Sequence, residues 1–148
     1  MIRIVCVGNL KEKYLKDAAS EYIKRITKYS KIEIIEVKEV SLLPKDIALK
    51  EEEKEIKKHC KGYVIILAIT GQMLDSVQLA NKIEEIQMSG FSDITFVIGS
   101  SYGLAKTLSG HFSLSLSKMT FPHQLTRILL LEQIYRAFSI LNHTQYHK

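Results

Sequence analysis

The sequence has 148 residues, 46% of them hydrophobic and 25% charged, and its 21 basic and 16 acidic side chains give a formal net charge of +5. This length suits one domain, residues 1–148, and the ordinary composition excludes a disordered chain. No apolar run reaches the roughly 18 residues that cross a bilayer, and Lys11 follows the first apolar stretch too soon for a signal peptide. We therefore expect a soluble, cytoplasmic domain without membrane contact, whose basic excess permits a nucleic-acid partner without requiring one.

Short apolar segments separated by helical patterns predict the fold class. The segments 2–7, 63–69 and 94–98 are almost entirely apolar, which is typical of strands covered on both faces. Segment 32–37 is mixed and indicates a half-exposed strand, whereas residues 112–117 alternate between apolar side chains and serine. The alternation of strands and helices predicts an α/β fold with a mainly parallel sheet and helices on both faces.

The connecting helices differ in character. An apolar stripe at helical spacing follows the first strand: Leu15, Ala18 or Ala19, Tyr22 and Ile26. Segment 44–60 is dense in paired opposite charges, which predicts a solvated helix with little core contact. A third helix is expected to begin at Asp75 or Ser76, either of which can cap it, and to end near Gly90.

The last helix, from about Pro122, is apolar around most of its circumference. A helix of this kind must be covered on more than one side. In so short a chain, one covering surface is a second subunit, so the pattern predicts a homodimer through this C-terminal helix. The alternative is a central helix buried within a monomer.

The cysteines and histidines indicate no metal or redox site. Cys6 and Cys60 are too few and too far apart for a redox pair or structural zinc, and Cys6 is expected to be a buried, reduced thiol. His143 and His147 have the i, i+4 spacing of metal ligands, but the glutamate of a metalloprotease motif and a third ligand are absent. We therefore expect no metal.

Ligand-binding residues are sought where parallel strands end, because open α/β sheets bind ligands beyond the carboxyl ends of their strands. Segments 69–71 and 98–104 follow two predicted strands, and segment 114–124 leads from a third strand into the last helix. Gly99 and Gly103 fit neither the dinucleotide-binding nor the phosphate-loop glycine pattern. By spacing alone, segment 98–104 is either a ligand site or a plain turn at a strand end.

Two further features lie near the last helix. Thr120 is expected to be its N-cap, with Pro122 in the first turn, and the free amides of a helix start can bind an adenine edge or a carboxylate. Residues 142–148 are polar, aromatic and cationic, and Arg127 and Arg136 precede them as candidate phosphate-binding residues. The terminal residues either contact unpaired RNA bases or form a frayed end.

Several motifs in order resemble those of the ribosomal RNA large subunit methyltransferase H family, in the SPOUT superfamily of knotted methyltransferases. They are VCVGNLK at 5–11, FVIGSSYGL at 96–104, LSKMTFPHQ at 116–124, EQIYRAF at 132–138 and YHK at 146–148. The resemblance spans the whole chain. It implies a homodimeric enzyme with a C-terminal trefoil knot that uses S-adenosylmethionine to methylate N3 of a pseudouridine in 23S rRNA.

The resemblance also implies functional residues. Cofactor contacts would come from Leu67, Gly99, Leu116, Ser117, Lys118, Met119, Thr120 and Phe121. Candidate catalytic residues would be His123, Arg136 and His147, and RNA would be bound by Arg136, Tyr146, His147 and Lys148. Lys118 is expected to offer its backbone and to point its ammonium away, because the cofactor sulfonium is itself positive.

One departure from the family pattern concerns the turn after the fourth strand. The family usually has two glycines where this chain has Gly99 and Ser100. If the second position needs a positive φ, serine there costs about 1 kcal/mol. Two other functions stay open at this stage: a non-catalytic RNA-binding or ribosome-associated module, and a nucleotide-binding regulatory domain.

Overall fold

A parallel sheet of five strands organises the chain. The structure is a computed structural model that describes all residues 1–148. Its elements are β1 (Ile2–Val7), α1 (Lys13–Ile26), β2 (Ile32–Val37), α2 (Lys45–His59), β3 (Tyr63–Met73), α3 (Ser76–Met88), β4 (Ile94–Ile98), β5 (Phe112–Ser115) and α4 (His123–Leu141). The strand order is β2-β1-β4-β3-β5. Every neighbouring pair is parallel, which confirms the predicted α/β class.

The two faces of the sheet carry separate apolar cores. Along β1, Ile4 and Cys6 face one core, whereas Val5 and Val7 face the other, as the two-residue period of a strand requires. The larger core is covered by α1, α3 and α4, and the smaller one contains Ile56 of α2. Helices therefore lie on both faces, as predicted. Strands β1 and β4 are fully buried, and the edge strand β2 is half exposed.

The sequence-based prediction for α2 is wrong in one respect. Although most of this helix is exposed, Ala48, Leu49 and Ile56 are buried, and so are the carboxylate residues Glu52 and Glu53. The smaller core has no other helix to cover it, so α2 must supply apolar side chains to that face. The dense charges of the segment hide this short apolar stripe.

Helix α3 begins as expected and α4 does not. Asp75 caps α3 in a complete capping box with Gln78. The predicted N-cap of α4, Thr120, is wrong: the N-cap is Pro122, and no side chain caps the helix. Helix α4 contacts both α1 and α3, so much of its apolar surface is already covered within one chain.

Strand β3 is longer than predicted and pairs irregularly with β5. Leu67 and Gln72 both pair with Leu114, so the register shifts between them. A Cβ at Gly71 would lie 2.7 Å from the backbone of Ser113, which is why only glycine fits this close approach. No helix is long and apolar enough to cross a membrane. The trefoil knot stays a prediction.

The chain turns back on itself after α4. His143 has a φ of 57°, and its amide donates to the carbonyl of Ile140 at 3.1 Å. The next amide, of Thr144, donates to the carbonyl of Ser139 at 3.0 Å. These two bonds form a Schellman motif, which satisfies the last carbonyls of the helix. Residues 144–148 are therefore directed back along α4 rather than frayed.

We expect His143→Gly to raise the free energy of unfolding by about 1 kcal/mol, because glycine adopts a positive φ without the penalty of a Cβ. Urea denaturation at one fixed protein concentration measures the change. The control is Asn142→Gly. Its φ is −101° and its side-chain amide donates to the carbonyl of Phe138, so this change should destabilise. A destabilised His143→Gly variant would contradict the expectation.

Candidate functional site

Three distant segments of the chain line one cleft of about 980 Å³. They are residues 66–70 at the middle of β3, residues 98–106 and 108 at and after the end of β4, and residues 113–117 and 119–123 from β5 into α4. β3 lies between β4 and β5, and its Ile66 and Leu67 pair with Val97 and Leu114, so the cleft lies where β4 and β5 end beside the middle of β3. This is the position at which open α/β sheets bind ligands, and the volume suits a small organic molecule.

All but one of the residues predicted to contact a cofactor line this cleft. The lining residues among them are Leu67, Gly99, Leu116, Ser117, Met119, Thr120 and Phe121. Lys118 is exposed and is not part of the wall. Its position agrees with the expectation that its ammonium points away. That these residues hold a cofactor stays a prediction.

The turn after β4 folds tightly back over Gly99. A Cβ at residue 99 would lie 2.3 Å from the carbonyl oxygen of Gly103. The amide of Gly103 donates to the carbonyl of Ser100 at 2.8 Å, and Gly103 has a φ of +83°. Because the turn closes on itself, its backbone atoms form part of the cleft wall. A residue with a side chain at position 99 would clash with Gly103 and prevent this closure.

Ser100 fits this turn without strain. His143 is the only residue other than glycine with a positive φ, so the strain considered for Ser100 does not arise. The serine is buried, and its hydroxyl accepts the amide of Tyr102 at 3.3 Å. The side chain therefore contributes a hydrogen bond inside the turn.

Hydroxyl groups shape the turn between β5 and α4. The Ser115 hydroxyl donates to the carbonyl of Ser117 at 3.0 Å, and the Ser117 hydroxyl accepts the amide of Met119 at 3.0 Å. The first turn of α4 follows with no capping side chain. This wall thus combines fixed backbone with the apolar side chains of Leu116 and Phe121.

The cleft contains no carboxylate. Among its lining residues, the ionisable side chains are those of Tyr102, Lys106 and His123. Its polar atoms are otherwise hydroxyl and backbone groups. Such a surface can orient a ligand by directed hydrogen bonds and shape, with little electrostatic preference of its own.

His123 lies where α4 meets the loop after β1. Its Nε2 is 3.7 Å from the point where a Cβ on Gly8 would stand. The next side chain, Gln124, accepts the amide of Lys11 at 3.0 Å. Arg127, one turn further, donates to the Gly8 carbonyl at 3.1 Å. These bonds fix the start of α4, and hence His123, against the β1–α1 loop.

Arg127 is a structural residue rather than a surface phosphate-binding residue. It is only 4% exposed and forms an ion pair with Glu36 at 2.7 Å. Cys6 lies nearby, and burial raises the pKa of its thiol to about 11 even though Arg127 acts in the opposite direction. The expectation of a buried, reduced thiol at Cys6 is confirmed.

A second cluster of predicted residues forms around Glu132. Arg136 binds Glu132 through Nε at 2.9 Å and Nη2 at 2.5 Å. The Tyr146 hydroxyl donates to the same carboxylate at 3.1 Å, and His147 Nδ1 lies 3.1 Å from Arg136 Nη1. Burial and Glu132 together raise the pKa of Tyr146 to about 12. Lys148 is exposed at the end of this cluster.

Within one chain, the predicted catalytic residue His123 does not meet the other two, Arg136 and His147. His123 lines the cleft, but Arg136 and His147 do not. His123 and Arg136 stand on one helix, and at 1.5 Å per residue their backbones are about 20 Å apart along its axis. Sequence reasoning also missed Glu132 as a site residue. The signal available for it was the i, i+4 spacing of Glu132 and Arg136.

No three His, Cys, Asp or Glu side chains are close enough together to hold a metal ion. The i, i+4 pair His143 and His147 is separated by the turn at the end of α4, so helical spacing does not apply to it.

Comparison with known proteins identifies the family. A family model described as "Predicted SPOUT methyltransferase" matches residues 1–147. The chain belongs to the SPOUT methyltransferase family. Proteins of Clostridium botulinum and Acetivibrio thermocellus, both named ribosomal RNA large subunit methyltransferase H, are 48% and 46% identical to it over 99% of each chain. A protein of Methanococcus maripaludis that carries this name provisionally is 52% identical, again over 99% of each chain. As a SPOUT methyltransferase, the protein transfers a methyl group from a donor.

Residues 144–148, which are directed back along α4 and are called the docked tail below, give a spectroscopic prediction. We expect Glu132→Gln to lower the pKa of Tyr146 from about 12 towards 10, because an amide neither repels the phenolate nor accepts its proton as strongly. Tyrosinate absorbance followed against pH measures this. Because the chain has seven tyrosines, the same titration is repeated in a Tyr146→Phe background. The difference between the two curves is the contribution of Tyr146. Glu55→Gln, which removes an exposed carboxylate of α2, is the control, and an unchanged titration in Glu132→Gln would refute the expectation.

Proposed function

We propose that this protein transfers the methyl group of S-adenosylmethionine to N3 of a pseudouridine in the 23S rRNA of the large ribosomal subunit. The names of its relatives support the ribosomal RNA substrate. The motif resemblance adds the pseudouridine and its N3 position. The observation that carries the proposal is the single cleft built from three distant segments, where β4 and β5 end beside the middle of β3.

The cleft residues fit S-adenosylmethionine. Apolar walls at Leu67, Leu116 and Phe121 suit the faces of an adenine ring, and the backbone of the turns at 99–103 and 115–121 offers amides and carbonyls to its edge. The cofactor would supply an electrophilic methyl group on a positive sulfonium. Lys118 stands outside the wall, which avoids placing its ammonium against that charge.

The chain's own residues would handle the proton. Attack by N3 requires loss of the imide proton, so a base or a group that stabilises the anion is needed. His123 lines the cleft and can accept a proton there. His147 is the second candidate base, and the guanidinium of Arg136 or the ammonium of Lys148 can stabilise the anion. Tyr146 and Lys148, in the docked tail, would contact the RNA.

A homodimer would unite the two groups of residues. Within one chain, about 20 Å of α4 separates His123 from Arg136. Two α4 helices that pair antiparallel about a two-fold axis would bring Arg136 of one copy to His123 of the other. The outward side of α4 supports this pairing: Leu125 is 39% exposed, and Leu129 borders an open hollow of about 370 Å³ against the start of α3. The complete site would then contain residues of both subunits.

The proposal treats residues 1–148 as one domain. β1, near the amino end, pairs with β4 in the middle of the chain, and the larger core contains residues from α1 to α4. The trefoil knot that the resemblance implies belongs to the same proposal.

Gly99→Val tests the cleft. The added side chain would meet the backbone of Gly103, so we expect cofactor affinity to fall by at least about tenfold while the fold is kept. Calorimetry with S-adenosylmethionine measures affinity, and circular dichroism checks folding. Ser109→Ala, an exposed change outside the lining of the cleft, should bind normally. Normal affinity in the Gly99→Val variant would contradict the assignment of this turn to the cofactor.

Deletion of residues 146–148 tests the tail. We expect the truncated protein to bind S-adenosylmethionine with near-normal affinity and to lose methyl transfer, because the tail does not line the cleft. Mass spectrometry of large-subunit rRNA detects the monomethylated pseudouridine. Gln145→Ala, an exposed tail change, is the control and should remain active. Full activity after truncation would contradict the tail's role. A full-length protein that binds RNA but not S-adenosylmethionine would instead favour a non-catalytic RNA-binding module.

A further inference from the structure

The outer wall of the cleft is a segment without regular secondary structure. Residues 101–110 connect the turn after β4 to the start of β5, and Leu104, Ala105, Lys106 and Leu108 line the cleft. Most backbone hydrogen bonds of the segment are local, such as that from Leu108 to Ala105 at 3.0 Å. Local bonds fix the shape of a loop, but they do not fix its distance from the opposite wall.

One side-chain hydrogen bond ties this wall to another element. The Thr107 hydroxyl donates to Oε2 of Glu53, on α2, at 2.5 Å. The other carboxylate oxygen, Oε1, accepts the ammonium of Lys57 at 2.9 Å. Both oxygens of Glu53 are therefore occupied. A short bond from a hydroxyl to a charged carboxylate is among the stronger hydrogen bonds of proteins.

Glu52 and Glu53 are the two buried glutamates of α2; Glu52 accepts the amide of Val40 at 3.0 Å, whereas Glu53 bonds to the wall of the cleft. Glu51 and Glu55 pair with lysines on the exposed side of α2 and are ordinary surface ion pairs. Glu53 is only 6% exposed, and a buried charge is costly unless it is paired. The Thr107 hydroxyl, and after it Lys57, hold the pKa of Glu53 below its usual range, so the group is ionised at neutral pH. The two partners of this buried carboxylate are therefore Lys57 on its own helix and Thr107 in the wall of the cleft.

Two further contacts lie on either side of the Thr107 bond. The Lys45 ammonium at the start of α2 stands 5.8 Å from the centre of the Tyr102 ring. Leu104 and Leu108 pack against the smaller core, which contains Ile56 of α2. Three parts of α2 thus contact the wall. Of these contacts, the Glu53–Thr107 hydrogen bond is directional, whereas the cation–π contact and the apolar packing are less specific.

We infer that Glu53 and Thr107 are positioning residues that hold the outer wall of the cleft in register with α2 and thereby set the affinity for the bound cofactor. The identity of that cofactor rests on the proposed function. Neither residue lines the cleft, so both act through Leu104, Ala105, Lys106 and Leu108. This gives the charge-dense helix a role in the site that its sequence pattern did not indicate.

The test uses the full chain with Thr107→Val, which keeps the shape of an exposed side chain and removes the hydroxyl, and Glu53→Gln. We expect each to weaken S-adenosylmethionine binding by about tenfold in calorimetry. The double variant should bind no more weakly than the weaker-binding single variant, because Thr107→Val removes the bond that Glu53→Gln weakens by making its acceptor neutral. In steady-state assays, KM for the cofactor should rise with little change in kcat. Thr107→Ser should restore affinity, and Glu55→Gln should behave as the parent protein.

Hydrogen exchange of the ligand-free protein gives a readout independent of the cofactor. In Thr107→Val, amides of residues 101–110 should exchange faster, while those of β1 and β4 keep their protection. Unchanged exchange there, or unchanged affinity in both single variants, would overturn the inference. Faster exchange throughout the sheet would also overturn it, since it would mean a general loss of stability. If the parent protein fails to bind S-adenosylmethionine, the proposed function fails, and the exchange measurement alone decides whether the bond holds the wall.

Discussion

Strands β4, β3 and β5 run parallel and side by side, so the chain leaves each of them towards the same edge of the sheet. This geometric constraint determines where a ligand can be held. Large side chains in the segments that follow these three strands would fill the space between them. Gly99 and Gly71 let the backbone approach closely, and the hydroxyls of Ser100, Ser115 and Ser117 fix the turns by hydrogen bonds. The cleft is the space that remains between these closely packed turns.

Helix α4 contains two arginines whose environments differ, although the sequence alone does not distinguish them. Arg127 is buried against Glu36 and the Gly8 carbonyl, and it holds the helix to the β1–α1 loop. Arg136 forms a cluster with Glu132, Tyr146 and His147. The ion pair with Glu132 raises the pKa of Arg136 above its usual range, so its positive charge is secure. The same helix therefore carries one arginine that is buried in the fold and one that forms a cluster with the C-terminal residues.

Much of the fold could be predicted because its strands are buried on both faces. Continuous apolar runs at β1 and β4 and the capping pair Asp75 and Gln78 are local signals that the tertiary structure preserves. The errors occurred where a tertiary requirement opposed the local pattern. The core-facing side of α2 is hidden among lysines and glutamates, and Thr120 has the chemistry of a cap but lies two residues before the actual N-cap.

The candidate site was predictable in part for the same reason. Strand ends identify the cleft, and the motif resemblance selects residues that line it. The motifs place His123 and Arg136 in one site, whereas the last helix predicted from about Pro122 keeps them apart within one chain; the motif resemblance alone does not show this separation. The bond between Glu53 and Thr107 was also inaccessible, since it joins residues 54 positions apart through a loop with no periodicity.

The position of β5 and α4 at the end of the sequence has a consequence for biosynthesis. β5 completes one wall of the cleft, and α4 covers the larger core between α1 and α3. Until these elements emerge, a nascent chain has an uncovered apolar sheet face and no place for a ligand. Shorter translation products would thus expose apolar surface, to which chaperones usually bind. Chemical competence arises in a single late step rather than growing with chain length.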